Sequence, residues 1–333
     1  MRIAVDAMGG DHAPEEIVAG ALLAAEQVDA AISLVGDPDA IAACLNGAAL
    51  PEGVEVEAAR DVIAMGESPR AALRGRDDSS LARAVDRVAR GEGQAVVSAG
   101  NSGAFMALSV MRMGTIPGVR RPAIAVTMPT VDGHRVLLDA GANADCRPEH
   151  LVDFGLMGAV YAEYTLGIAS PTVGLLSIGE EKGKGNELTK AAYGLLEAAD
   201  LNFRGNVEGG DVFGGKCDVI VCDGFVGNVV LKVTEGAARL LFRNVRETLL
   251  RSEELKSMAP QVGGALRSVA DQFDASEYGG ALLLGVNGVS IVGHGCSDAN
   301  AIRNAVRFAH RAVEGRLVEH LRALFSERAA QNG

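Results

Sequence analysis

A run of small and polar residues follows a short aliphatic segment near the end of the first third of the chain. Residues 95–97 predict a buried strand, and Ser-Ala-Gly-Asn-Ser-Gly follows at 98–103. Glycines let the backbone approach a ligand closely, and the free N–H groups at the start of a helix bind anions. We therefore predict a phosphate-type site in this segment, with candidate residues Ser98, Gly100, Asn101, Ser102 and Gly103.

Four other aliphatic runs end in similar glycine-punctuated polar segments. The first ends at Asp6, and the later ones are followed by segments 139–143, 179–186 and 223–228. In an open parallel sheet, ligands bind in the crevice outside the carboxyl ends of the strands. We therefore expect all these segments to converge on one site for a small anion. Its further candidate residues are Asp6, Gly9, Gly10, Asp139, Asn143, Lys182, Lys184, Asp223 and Asn228.

Short aliphatic runs alternate with helical patterns through most of the sequence. The runs are rich in Val, Ile and Leu, which is typical of parallel strands covered on both faces. This alternation predicts an α/β fold with a doubly wound, mostly parallel sheet, in one domain spanning residues 1–333. The predicted strands are 3–5, 32–35, 95–97, 124–128, 136–138, 173–176 and 219–221.

The overall charge argues against a nucleic-acid partner. The chain has 31 lysines and arginines against 43 aspartates and glutamates, a net charge of −12, whereas a nucleic-acid-binding protein needs a basic face. The five cysteines show no paired metal-ligand spacing, so we expect reduced thiols and no metal. With no pattern for a signal peptide or a membrane span, the sequence predicts a cytoplasmic protein.

Several familiar catalytic motifs are missing. No G-x-G-x-x-G follows the first strand, and no G-x-x-x-x-G-K-[ST] is present for phosphoryl transfer from ATP. There is no G-x-S-x-G elbow, and no cysteine stands beside an obvious histidine. His12 and His294 lie in glycine-rich strand ends, and for His12 a site role competes with a surface or capping role. The sequence therefore favours a site that positions an anion without a cofactor or a covalent nucleophile.

Segment 239–273 differs from the rest of the chain. Its apolar residues recur at three- and four-residue steps and charges occupy the other faces, which predicts amphipathic helices. We expect them to lie in the core or at a dimer interface, and the alternative is a helix on a membrane surface. The segment is rich in basic residues, among them Arg243, Arg246, Arg251, Lys256 and Arg267.

Six motifs in order resemble the phosphate acyltransferase (PlsX) family of bacterial phospholipid synthesis. They include Val-Asp-Ala-Met-Gly-Gly-Asp at 5–11 and Leu-Asp-Ala-Gly-Ala-Asn at 138–143, and the others lie at 98–104, 179–186, 222–228 and 276–295. The resemblance covers nearly the whole chain. Ala281 departs from it where the family usually has proline, and Gly66 departs where an acidic residue is common. The resemblance implies a homodimer with a fold similar to phosphotransacetylases and isocitrate-type dehydrogenases.

The resemblance also implies an activity: transfer of a long-chain acyl group from acyl-[acyl carrier protein] to inorganic phosphate. A membrane acyltransferase, PlsY, would then use the acyl phosphate. Because phosphate is itself the nucleophile, the enzyme's main task is orientation. We expect segment 98–103 with Lys182 or Lys184 to hold phosphate, and backbone N–H groups with Asn143 or Asn228 to stabilise the oxyanion. Asp6, Asp139 or Asp223 would orient these donors or handle a proton.

The implied carrier protein is acidic, and so is this chain. Docking therefore needs a local basic surface, which we assign to Arg243, Arg246, Arg251, Lys256 and Arg267. Segment 239–273 would also form the dimer contact, and its apolar tip would touch the membrane peripherally.

Two alternative functions stay open. A metal- and NAD(P)-dependent dehydrogenase of the isocitrate type would need a carboxylate cluster and a nucleotide site, but the aspartates lie in separate glycine motifs. A non-catalytic scaffold that binds acyl carrier protein would not need the lysines of segment 179–186 or the phosphate segment.

Overall fold

The computed structural model describes residues 1–130, 133–251, 262–264, 269 and 279–332. The strands in these residues are β1 Arg2–Asp6, β2 Ala31–Gly36, β3 Val54–Ala58, β4 Ala95–Ser98, β5 Ala123–Thr130, β6 Gly133–Leu138, β7 Thr172–Leu176, β8 Asn202–Val207, β9 Val219–Val221, β10 Ala281–Leu284 and β11 Val289–Val292. The helices are α1 Glu15–Ala25, α2 Pro38–Cys44, α3 Pro69–Ala72, α4 Ser80–Ala89, α5 Ser102–Met113, α6 Pro148–Tyr164, α7 Glu187–Glu197, α8 Gly224–Arg251, α9 Ala299–Glu314 and α10 Leu317–Asn332.

The described strands form one sheet in the order β3-β2-β1-β4-β11-β10-β5-β6-β9-β7-β8. All seven predicted strands are present. The sequence analysis missed β3, β8, β10 and β11. The predicted fold class, an α/β fold with a mostly parallel sheet, is confirmed.

The sheet changes direction at its centre. Strands β3, β2, β1, β4 and β11 form one parallel block, and β6, β9, β7 and β8 form another. Between them β10 is antiparallel to both β11 and β5, and β5 is antiparallel to β6. The two blocks therefore run in opposite directions. The expectation that all the polar strand ends meet at one sheet edge is wrong, because Asp6 ends a strand of the first block and Asp139 follows a strand of the second.

The two faces of the sheet are packed differently. On one face a continuous apolar core joins strands of both blocks to α1, α6, α9 and α10. On the other face the core is split into two clusters, one under α4 and α5 and one under the start of α8. Ile124 of β5 and Ala281 of β10 contact both clusters. A seam therefore runs over the central antiparallel strands, between α5 and α8.

Helix α8 leaves the body of the protein after its first turns. Val226, Val230 and Leu231 pack on the core, but only Gly224 and Gly227 of its 28 residues are buried. The predicted helical segment 239–273 begins in α8, which ends at Arg251. Most of the rest of that segment lies outside the described residues.

Candidate active site

Two strand ends of the first block are held together around a buried carboxylate. The Ser98 hydroxyl donates to Asp6 Oδ2 (2.7 Å), and the Gly100 N–H donates to Ser98 Oγ (3.0 Å). A β carbon on Gly9 would collide with the Asp6 carboxylate and lie 2.9 Å from the Gly100 nitrogen. Burial raises the pKa of Asp6 above its ordinary value, although hydrogen bonds oppose the shift. Asp6 and Ser98 therefore hold segment 98–103 in place from its buried side.

Asn101 connects this loop to a second one. Its side-chain oxygen accepts from the Ala104 N–H (3.0 Å) and so caps α5. Its side-chain nitrogen donates to three carbonyl oxygens of residues 64–67, at 2.7–3.2 Å. We call residues 59–79 the strap. Arg76 fixes the strap from within, through ion pairs with Asp61 and Glu67.

A second buried carboxylate, that of Asp139, lies at the end of β6. The Asp139 carboxylate accepts from the backbone N–H groups of Ile124, Gly141, Ala142 and Asn143 at 2.7–3.1 Å. It also accepts from the Asn143 side chain (2.8 Å), which donates to the Pro122 carbonyl as well. Burial raises the pKa of Asp139 despite these donors. The amide and the carboxylate thus fix the turn that carries Gly141 and Ala142.

The beginning of α8 lies against this turn. The Val226 N–H donates to Asp223 Oδ1 (2.9 Å), so Asp223 caps the helix. No β carbon fits at Gly227, which would collide with the Asp139 carbonyl oxygen. This close approach places the exposed Asn228 beside Gly141, whose β carbon would lie 3.6 Å from the Asn228 side chain.

A crevice of about 670 Å³ follows the seam of the sheet. Ile124 and Val126 of β5 and Ala281 of β10 lie along its floor. The strap and α5 line one part of it, the 140–142 turn and α8 line another, and segment 293–297 with Ala301 and Ala305 of α9 lines a third. The predicted site residues that line it are Gly100, Ser102, Gly103 and Asn228. The structure thus brings one motif of each block to the same crevice, although their strands run in opposite directions.

The other predicted residues lie behind or away from this lining. Asp6, Ser98, Asn101, Asp139, Asn143 and Asp223 support the loops and helix beginnings described above. Gly9 and Gly10 allow the close packing of the β1 end, where Gly10 has a φ of 122°. Lys182 and Lys184 are exposed and outside the crevice lining. Lys182 forms an ion pair with Glu197 (2.6 Å).

Among the described residues of the crevice, three that could take part in chemistry were not predicted. Lys232 and Glu235 of α8 line it as an ion pair (3.0 Å). His294, which follows β11, also lines the crevice. Its Nδ1 lies 3.1 Å from Cys296 Sγ. The expectation that no cysteine stands beside a histidine is therefore wrong. The available signal was their spacing of two residues in a glycine-rich strand end. Within the described part of the chain, no group of three or more His, Cys, Asp and Glu side chains is placed to hold a metal.

Three of the five predicted docking residues can be located. Arg243, Arg246 and Arg251 are exposed on the outer half of α8, beyond the turns that line the crevice. Arg251 pairs with Glu247 (3.6 Å). Lys256 and Arg267 lie outside the described residues. No helix in the described ranges is long and apolar enough to cross a membrane.

Comparison with known proteins gives a consistent result. A family described as "Fatty acid synthesis protein" matches residues 1–320. The phosphate acyltransferase of Desulfitobacterium hafniense (strain DSM 10664 / DCB-2) is 50% identical over 323 residues, 97% of each chain. That of Heliobacterium modesticaldum is 52% identical over 316 residues, 94% of each chain.

Solved structures share the fold at much lower identity. A phosphotransacetylase from Streptococcus pyogenes has a TM-score of 0.62 at 16% identity and covers 94% of each chain. A 4-hydroxythreonine-4-phosphate dehydrogenase from Klebsiella pneumoniae has a TM-score of 0.55 at 12% identity, covering 94% of this chain and 99% of its own. Because transferases and dehydrogenases both match, these structures establish the fold alone.

Proposed function

The chain belongs to the phosphate acyltransferase family, and from this membership and the crevice we propose that it transfers a long-chain acyl group from acyl-[acyl carrier protein] to inorganic phosphate. The acyl phosphate would serve phospholipid synthesis. The observation that carries the proposal is the crevice itself, where the beginning of α5 and the first turns of α8 lie on opposite sides of an apolar floor. A polar anion and an apolar chain can therefore occupy it together.

The beginning of α5 is the proposed phosphate site. Ser102 and Gly103 are its first two residues, and the first N–H groups of a helix have no partner within it. Their partial positive charge stabilises an anion, and the Ser102 hydroxyl adds a donor. The Asn101 side-chain oxygen accepts from the Ala104 N–H, and Asn101 is not among the residues that line the crevice. We therefore give Asn101 a supporting role and retain Gly100, Ser102 and Gly103 as the phosphate contacts.

The reaction needs no covalent enzyme intermediate. A phosphate oxygen attacks the thioester carbonyl carbon, a C–O bond forms, and the C–S bond breaks. The electron pair stays on sulfur, which takes the proton that hydrogen phosphate loses on acylation and becomes the carrier thiol. The Asn228 amide has no hydrogen-bond partner among the described residues and is the proposed donor to the carbonyl oxygen as negative charge develops there.

A direct assay tests this function. The purified protein is incubated with palmitoyl-[acyl carrier protein] and phosphate, without added metal or nucleotide, and acyl phosphate is trapped with hydroxylamine. We expect a hydroxamate whose formation requires phosphate. A requirement for Mg²⁺ together with NAD(P) would replace this proposal by the dehydrogenase alternative. Binding of the carrier protein without turnover would favour a scaffold.

We also propose that the protein is a homodimer whose contact involves α8. Apolar side chains recur along one side of this helix and are exposed, among them Phe225 (66%), Val229 (46%), Val233 (64%) and Leu240 (51%). Their spacings of four, four and seven residues match one helical stripe, and a second copy offers the same stripe. Sedimentation of the Val233→Asp variant tests this contact. A variant that stays dimeric would place the contact elsewhere.

The location and the other partners are proposals too. The basic outer half of α8, with Arg243 and Arg246, would attract the acidic carrier. We place the protein in the cytoplasm with a peripheral contact at the membrane, where a membrane acyltransferase (PlsY) would consume the acyl phosphate. A flotation assay with anionic vesicles tests the membrane contact, and absence from the vesicle fraction would contradict it.

A further inference from the structure

The middle of the crevice is apolar where its ends are polar. Side chains of a strand alternate between faces, so Ile124 and Val126 point to the same side of β5 and both line the crevice. Ala281 lies beside them because Leu282 of β10 pairs with Ala125 of β5. At this point of the floor the Ala281 side chain is only a methyl group. The seam between the two core clusters is therefore left as an open trough.

Each helix beside the crevice carries a polar lining residue in one turn and an apolar lining residue in the next. On α5, Met106 follows Ser102 by four residues, one helical turn, and both line the crevice. On α8, Leu231 follows Asn228 by three residues, again about one turn, and both line the crevice. Each side thus offers a polar group in one turn and an apolar side chain in the next. A ligand between the two helices would therefore meet both polar groups and apolar side chains.

We propose that this trough is the acyl-chain subsite, and that Met106 and Ala281 determine the chain length that the enzyme accepts. The inference rests on the proposed function. The thioester carbonyl lies between Ser102 and Asn228, and the chain runs over Ile124 and Val126 between Met106 and Leu231. The accepted chain length is therefore set by the distance from the thioester carbonyl to the end of the trough. The longest chain that fits ends where a side chain closes the trough.

Size and chemistry support this occupant. The whole crevice, of which the trough is the apolar part, has a volume of about 670 Å³, within the usual range of ligand pockets, roughly 300–1,000 Å³. Among the described residues that line the crevice, no charged side chain lies between Met106, Leu231 and the floor. The nearest ion pair, Lys232 with Glu235, is internally neutralised. An alkyl chain leaves no polar group unsatisfied there. Each methylene that finds room gains about fourfold in binding, so filling part of the trough should change chain-length preference steeply.

The test uses acyl-carrier substrates of increasing chain length, from eight to eighteen carbons, at saturating phosphate. Replacing Ala281→Phe fills the floor and should lower kcat/KM for the longest donors by about tenfold or more, while the shortest donors and the KM for phosphate change little. Replacing Met106→Ala opens the trough and should shift the optimum to longer chains. Met111 is the matched control, because it lies on the same helix, is 61% exposed and does not line the crevice. Met111→Ala should keep the wild-type profile.

The outcomes separate this inference from the function beneath it. If wild-type protein forms no acyl phosphate from any donor, the proposed function fails. If the wild type is active and a folded Ala281→Phe variant keeps its chain-length profile, the subsite proposal is wrong. Should Ala281→Phe fail to fold, Met106→Ala decides: an optimum that does not move to longer chains overturns the proposal, and a shift supports it.

Discussion

Asn101 offers a sharp test of what the phosphate-type segment does. Three strap carbonyl oxygens accept from its side-chain nitrogen, and its side-chain oxygen caps α5. Serine is as good an N-cap as asparagine but has no amide donors for the strap. Asn101→Ser therefore keeps the cap and removes the connection to the strap. Asn101→Ala removes both.

The structure sets the size of the effect. The nitrogen carries two hydrogens, and each hydrogen bond contributes about 0.5–1.5 kcal/mol, so the strap loses about 1–3 kcal/mol in Asn101→Ser. At 1.4 kcal/mol per tenfold, its opening equilibrium rises about five- to 150-fold. In Asn101→Ala, loss of the helix cap lowers the free energy of unfolding by about 1 kcal/mol more.

Trypsin reports this opening directly, because Arg70 and Arg74 are exposed on the strap. Cleavage there follows the population of the open form when opening is fast relative to cleavage. We expect faster strap cleavage in both variants, with the global urea midpoint falling further in Asn101→Ala. The reasoning is refuted if Asn101→Ser is cleaved at the wild-type rate while its KM for phosphate rises, since Asn101 would then contact the ligand itself.

Three further predictions follow from the buried carboxylate, the glycine beside it and the basic helix. Burial raises the pKa of Asp6 in the folded protein, so stability linked to its proton is present below about pH 4 and is lost as pH rises through the raised pKa. Asp6→Asn should therefore gain stability relative to the wild type across that window in urea titrations, and a pH-independent difference would contradict this. Gly9→Ala should lower the free energy of unfolding by about 1–3 kcal/mol because its β carbon has no room, whereas Gly66→Ala, in open space, should change it by less than about 0.5 kcal/mol. Arg246→Glu should slow carrier association in stopped-flow at low salt with phosphate affinity unchanged, and salt should remove the difference; an equal effect of Arg204→Glu, an exposed arginine on β8, would indicate net charge alone.

The sequence predicted most strands because parallel strands buried on both faces leave continuous aliphatic runs. It did not reveal their directions. The reversal depends on β10 pairing with β5, which joins residues more than 150 positions apart and leaves no local pattern. Strand β3 alternates valine with glutamate and looked unlike a buried strand. The fold class was therefore predictable, and the layout of the crevice was not.

Polar residues in the motifs were recognised as important, but their type does not reveal whether they face a ligand or the backbone. Aspartate and asparagine are also the preferred residues for helix caps and turns. Asp139, Asp223 and Asn101 use their side chains in this way, and Asn228 does not. The difference arises from tertiary packing: Gly227 lets α8 approach Asp139 so closely that the next residue reaches the crevice.

In this chain, the residues that hold the backbone beside the crevice differ from the residues that line it. The hydrogen bonds around the buried carboxylates of Asp6 and Asp139 fix the backbone on each side of the seam. Neither carboxylate lines the crevice, so neither presents its charge to the ligand. The chemistry then depends on the few side chains exposed over the seam. Here a helix beginning and one amide lie next to an apolar trough, an arrangement suited to an anion that attacks the carbonyl of a long chain. Exchanging only these exposed groups would change the reaction while leaving the sheet and its supporting carboxylates intact.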